Sequence, residues 1–247
     1  MSYIDGFVIA VPTVNKHEFI EHAKEFDAIL MDMGAVRILE CWGEDVPEGK
    51  LTDFRRAVQA TGEETVAFSW IEWPDKAARD AAFAKIQEMM ETEERFDPVK
   101  NPPPFDGKRM VFGGFAAIVD IGRPAGDGYM QGFVIPVPEG KQDAYCKLEE
   151  ESWPYFQGLG ALRVMAAWQD DVPEGKQTDF FRAVNAEAGE KIVFAFMEWP
   201  SRDVCDQAAK TMQSDEGMPM PTEMPFDGKR MIYGGFTPVV TLEKQNA

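Results

Sequence analysis

Cysteine and histidine are scarce in this chain: among 247 residues there are three of the first and two of the second. Cys41, Cys146 and Cys205 are odd in number and nowhere spaced as C-x-x-C, which argues against a disulfide framework and against a zinc site. His17 and His22 lie five residues apart, roughly 140° around a helix, so they do not share a face as an i,i+4 ligand pair would. No metal site is expected. Positive charge is short as well: Lys and Arg total 25 against 43 Asp and Glu, a net charge of −18. Such a field repels phosphate backbones and anionic lipid surfaces, so neither nucleic acid nor membrane is an expected partner.

No apolar run approaches the roughly 18 residues that cross a bilayer, and Met1–Asp5 lacks the basic and apolar regions of a signal peptide. A cytoplasmic location is expected. The chain also lacks G-x-S-x-G and H-E-x-x-H strings. Its double glycines, Gly113-Gly114 and Gly234-Gly235, do not open a helix as a phosphate-cradling loop requires. They read as a strand bulge or a close backbone approach, and no cofactor is expected.

What the chain does have is itself, twice. Displacing the sequence by about 126 positions lays Tyr3 on Tyr129 and runs without a gap to Pro74 on Pro200 at roughly 40% identity. Asp45-Val46-Pro47-Glu48-Gly49-Lys50 returns as Asp171-Val172-Pro173-Glu174-Gly175-Lys176, and Glu72-Trp73-Pro74 as Glu198-Trp199-Pro200. After a shortening of about five residues in a Pro- and Met-rich stretch, where length changes cost little, Phe105-Asp106-Gly107-Lys108-Arg109-Met110 returns as Phe226-Asp227-Gly228-Lys229-Arg230-Met231. The organisation read from this is a first copy over 1–121, a Gly- and Pro-bearing linker over 122–128, and a second copy over 129–247.

Each copy has the same pattern. Tyr3–Val11 reads as a strand. Asn15 with Glu18 offers a capping box for a helix whose stripe is Phe19, Ala23, Phe26, Leu30 and Met33, closed by Gly34. Val36–Trp42 reads as a strand, Thr52–Ala60 and Thr65–Trp73 as two more, Asp75 caps a second helix through Ala78, Ala82, Ile86 and Met89, and Met110–Val119 closes the module. The fold class is α+β: tandem ferredoxin-like modules with both helices on one face of an antiparallel sheet. The bare face needs cover, and the sister sheet is nearest. The two sheets are therefore expected to pack as an intramolecular pseudo-dimeric α+β barrel in a monomeric chain, with pairing to another chain as the alternative.

The runs Asp5–Pro12, Glu40-Cys41-Trp42 through Asp53-Phe54-Arg55, Phe68–Glu72 and Phe105–Met110 with Gly113-Gly114-Phe115 resemble the YbaA-like bacterial family, a family of unknown function in the dimeric α+β-barrel superfamily. The resemblance covers nearly the whole chain, twice. It implies a one-module dimer made covalent, and it supplies no catalytic residues. The second copy departs from the pattern with Ala166-Ala167 in place of Glu40-Cys41, Gln131 in place of Asp5 and Trp153 in place of Asp27.

Polar and aromatic residues present in both copies are the candidates for ligand binding: Arg37, Trp42, Asp53, Arg56, Glu72, Lys108 and Arg109, with Arg163, Trp168, Asp179, Arg182, Glu198, Lys229 and Arg230. On a functional reading the arginines hold a carboxylate or phosphate, Glu72 accepts a proton and the tryptophans stack on an aromatic ligand. On the bland reading they pair with one another, cap turns and anchor the core. The expected ligand is a small metabolite, anionic or aromatic, in a barrel or sheet–helix pocket, and the superfamily's oxygenases and isomerases extend this to a cofactor-independent enzyme. A non-catalytic structural or protein-interaction module is the alternative.

Overall fold

The computed structural model describes residues 2–94, 99–214 and 223–244. The first copy runs β1 (Tyr3–Pro12), α1 (Lys16–Asp32), β2 (Arg37–Asp45), α2 (Phe54–Ala57), β3 (Glu64–Trp73), α3 (Lys76–Thr92) and β4 (Val111–Gly122). The second runs β5 (Tyr129–Pro138), α4 (Gln142–Gly158), β6 (Arg163–Asp171), α5 (Phe180–Ala183), β7 (Glu190–Trp199), α6 (Arg202–Ser214) and β8 (Ile232–Glu243). No described helix is long and apolar enough to cross a membrane.

The eight strands form one closed antiparallel barrel in the order β1-β3-β2-β8-β5-β7-β6-β4. The seams between copies are the ladders β2–β8 and β4–β6, so each half donates an edge strand to the other and no edge is left open. The inward faces of both halves share a single core, with Phe68 and Phe194 stacked at 4.6 Å and Trp70 on Phe196 at 4.0 Å. Gly6 and Gly132 let these rings cross the barrel, since a Cβ at either would press into Phe194 or Phe68. The double glycines are places of close approach, as their strand context suggests: a Cβ at Gly114 would strike the Tyr3 hydroxyl, and one at Gly235 that of Tyr129.

Two local expectations are corrected. The stretch Thr52–Ala60 contains the helical turn α2 in place of a strand: Asp53 accepts from the Arg56 amide as an N-cap, and Gln59 at φ 52° reverses the chain. The second copy repeats this with Asp179, α5 and Asn185 at φ 50°. The apolar Phe54 and Phe180 thereby enter the barrel from its end. The capping box at Asn15 is not formed, because its side chain instead donates to the Pro104 carbonyl at 2.9 Å. Asp75 does cap α3, accepting from the Ala78 amide at 2.8 Å.

Candidate functional site

Four of the repeated polar residues meet inside one mouth of the barrel. Arg37 donates twice to Glu198, at 2.6 and 2.8 Å, and Arg163 donates twice to Glu72, at 2.8 and 2.9 Å. The weaker bonds of the square run within each copy, Arg37 to Glu72 at 3.1 Å and Arg163 to Glu198 at 3.2 Å. The remaining valences are filled as well: Glu243 takes the Arg37 Nε, Asp120 takes Arg163, the Trp70 indole donates to Glu72 and the Ala125 amide to Glu198. All four members are buried, so each charge is matched by hydrogen bonds rather than by water.

The other expected residues lie elsewhere and are not brought together. Arg109 donates to both oxygens of Glu64, at 2.9 and 2.7 Å, to Asp106 and to the Gln59 carbonyl, and Arg230 repeats this with Glu190, Asp227 and the Asn185 carbonyl. Asp53 and Asp179 hold the turns before α2 and α5, and the side chains of Arg56 and Arg182 bend back onto them. Trp42 and Trp168 are buried on the outward face, Trp42 beside Phe19 at 6.0 Å. Lys108 and Lys229 extend from exposed turns. The exchange of Asp5 for Gln131 is also accounted for, since each accepts the indole N–H of its own tryptophan, Trp73 or Trp199, at 2.8 Å.

A different constellation sits between sheet and helix in the first copy. The buried stripe of α1 is Phe19, Ala23, Asp27 and Leu30, so an aspartate takes a core position. On the sheet beneath, Glu40 is flanked across the ladders by Ser69 on β3 and Val240 on β8. The Ser69 hydroxyl donates to Glu40 Oε2. Asp27 is 3% exposed, and its Oδ2 has no hydrogen-bond partner. Burial, and after it the neighbouring Glu40, push the Asp27 carboxyl well above its ordinary range. Burial likewise raises Glu40 to about 7 against the opposing Ser69 bond, although Glu40 keeps some surface open to solvent.

At the matching three positions the second copy carries no acid. Trp153 stands at the Asp27 position, Ala166 pairs Ala195 where Glu40 pairs Ser69, and Val119 lies beside Ala166 as Val240 lies beside Glu40. Its sheet–helix layer is one continuous apolar cluster. In the first copy the layer is divided in two, with Leu30, Ile38, Ile71 and Leu242 on one side, Phe19, Trp42 and Phe105 on the other, and Phe7 touching both. The second copy has its own buried polar group two turns earlier, Tyr145, with Glu149 beside it one turn on, where the first has Phe19 and Ala23. The two layers are thus chemically distinct.

Sequence reading singled out none of Asp27, Glu40 and Ser69 as a site. The available signal was the coincidence of three exchanges, Asp27 for Trp153, Glu40 for Ala166 and Ser69 for Ala195, all polar in one copy and apolar in the other.

With the geometry established, comparison with known proteins places the chain. A family model described as "Protein of unknown function (DUF1428)" matches residues 2–107 and again 128–228. The uncharacterized protein YbaA of Escherichia coli strain K12 is 50% identical over 120 residues, 49% of this chain and 99% of YbaA, and the Shigella flexneri protein of that name matches to the same extent. These relatives are therefore one module long. Among solved structures, a candidate monooxygenase from Fusobacterium nucleatum superposes with a TM-score of 0.53 at 9% identity, over 100% of this chain and 96% of its own. An anthrone oxidase-like protein gives 0.52 at 12% identity, over 99% and 97%. At such identities the likeness shows a shared α+β barrel fold and nothing of the chemistry. The chain belongs to the DUF1428 family of YbaA-like proteins, with two copies of the family module closed into one barrel.

Proposed function

We propose that this protein takes up a small, largely apolar molecule in the sheet–helix layer of its first copy and exchanges a proton with it through Asp27 and Glu40, without a cofactor. The observation that carries the reading is the divided apolar layer. Burying two carboxyl groups and leaving Asp27 Oδ2 unpaired costs stability, and the second copy shows that the module folds with Trp153, Ala166 and Ala195 in their place. A carboxyl held near neutral pH, beside a second whose hold on its proton is also strengthened by burial, can both accept and return a proton at the pH of a cell. Ser69 fixes the Glu40 rotamer, and the residual exposure of Glu40 gives the pair a route to solvent.

The names of the proteins sharing the fold support small molecules as the ligand class, monooxygenase and anthrone oxidase among them. With both seams closed inside one chain, the working unit is a monomer in the cytoplasm, and the second copy serves as the scaffold that completes the barrel. The alternative of a purely structural module is favoured for one set of residues, the Arg37, Glu72, Arg163 and Glu198 square, whose donors and acceptors are spent on each other and on Glu243, Asp120, Trp70 and Ala125.

A thermal-shift screen of small aromatic and carbonyl compounds tests the proposal, run on the wild type and on Asp27→Asn, Glu40→Gln and the graft D27W/E40A/S69A. The expected result is a compound that stabilises the wild type and not the graft, with a pH dependence lost in Glu40→Gln. Equal shifts in all four proteins would overturn the assignment.

A further inference from the structure

A second surface feature lies where the copies meet, on the outside of the barrel. The turn bearing Gly107 and Lys108 and the start of β4, with Met110 and Phe112, face the Pro173–Asp179 loop of the second copy across a cavity of about 380 Å³, the size of a small-molecule pocket. We infer that this groove binds a small aromatic monocarboxylate, with its ring on Phe112 and Met110 and its carboxylate held by Lys108, Lys176 and the Thr178 hydroxyl.

Three observations converge. Neither Lys108 nor Lys176 makes an ion pair among the described residues, in a chain that carries a net charge of −18 and an excess of carboxylates. Thr178 is 6% exposed and its Oγ1 has no hydrogen-bond partner, whereas the matching hydroxyl of Thr52 donates to the Ala183 carbonyl at 2.5 Å. An unsatisfied buried hydroxyl costs stability unless something answers it, and Thr178 is one of the residues that line the groove. Phe112 is 44% exposed on a strand whose other apolar residues are mostly buried, so a large ring stands open at the rim.

The charge of the ligand follows from the same residues. Asp179 is already neutralised, accepting from the Gly175 amide, the Arg182 amide and the Arg182 guanidinium. Glu174 stays on the rim, and the overall field is negative, so two ammonium groups suit one negative charge better than the two of a phosphate. The site is separate from the Asp27–Glu40 pair. Phe112, Phe7, Ser69 and Glu40 follow one another across adjacent strands, which places Phe112 about 14 Å from Glu40 at three strand spacings.

The test is calorimetric titration of the full chain at low ionic strength with benzoate, benzyl alcohol and inorganic phosphate. The variants are Lys108→Met/Lys176→Met and Thr178→Val, with Lys50→Met/Lys229→Met as the matching change in the other copy. The expected result is millimolar or tighter benzoate binding that falls at least tenfold in Lys108→Met/Lys176→Met, several-fold in Thr178→Val, and not at all in Lys50→Met/Lys229→Met, with no response to benzyl alcohol. Thermal melts of each variant confirm that it is folded. Absence of benzoate binding, equal binding in the two lysine pairs, or tighter binding of phosphate than of benzoate would each overturn the inference.

Discussion

Arg37 grips Glu198 from the opposite copy more tightly than it grips Glu72 from its own, 2.6 and 2.8 Å against 3.1 Å. The same crossing holds for Arg163, which prefers Glu72 of the first copy to its own Glu198. The square thus joins the halves as well as capping the lumen.

Removing one corner leaves buried guanidinium nitrogens of both arginines without their acceptors. Glu198→Ala is expected to cost about 3–5 kcal/mol, whereas replacing a whole crossed pair, Arg37→Met with Glu198→Met, costs clearly less than twice that. Urea denaturation of the single and double variants measures both. A single-variant loss under about 1 kcal/mol would show the square to be dispensable.

The Arg109–Glu64 clamp gives a prediction in acid. The Arg109 guanidinium holds the Glu64 carboxyl down to about 2, far below its ordinary 4.5. The unfolded chain therefore binds this proton first, so the stability the clamp adds is present above about 4.5 and is lost as the pH falls towards 2. Arg109→Ala is expected to lose about 1–3 kcal/mol at pH 7 and to show a shallower loss of stability in acid. Denaturation at pH 3 and pH 7 checks this, and Arg230→Ala should behave alike through Glu190, whose carboxyl is also held low.

Glu40 acts with the opposite sign. Its carboxyl is held near 7 in the fold against 4.5 ordinarily, so between those values the native state keeps a proton that the unfolded chain has released. Stability then declines as the pH rises from about 4.5 and levels off above about 7, with Asp27 adding to the decline. The graft D27W/E40A/S69A removes both carboxyls. It is expected to be more stable than the wild type at pH 8 by about 2 kcal/mol, a figure discounted for the residual exposure of Glu40, and to lack this decline.

Closure inside one chain gives a prediction for the mass. Light scattering at micromolar concentration is expected to give the monomer mass of 27.7 kDa, since β2, β4, β6 and β8 all have both neighbours within the molecule. Twice that mass would point to pairing between chains.

The repeat made the fold legible. Two modules with one apolar face each left few ways to bury it, and the residues alternating inward, such as Phe68 and Phe194, are where period-two reading puts them. The turn α2 was not legible, because Phe54, Ala57 and Val58 have strand-like composition and only the cap at Asp53 with Gln59 at positive φ makes the segment helical. The recurring arginines and acids were visible, but their partners were not: the residues that Arg37 and Arg163 grip most tightly lie 161 and 91 positions away, and only barrel closure brings them within reach. The Asp27–Glu40 pair was hidden for a related reason. Glu40 and Asp27 look like ordinary surface acids until α1 lays the one over the other.

Proton exchange in the sheet–helix layer of the first copy requires a carboxyl that titrates near neutrality. Infrared difference spectroscopy across pH 5 to 9 on the wild type, Asp27→Asn and Glu40→Gln reads it directly. The prediction is a carboxyl band that deprotonates at about 7 in the wild type, persists in Asp27→Asn and vanishes in Glu40→Gln. A wild-type spectrum in which every carboxyl has deprotonated by pH 5 would contradict the proposal.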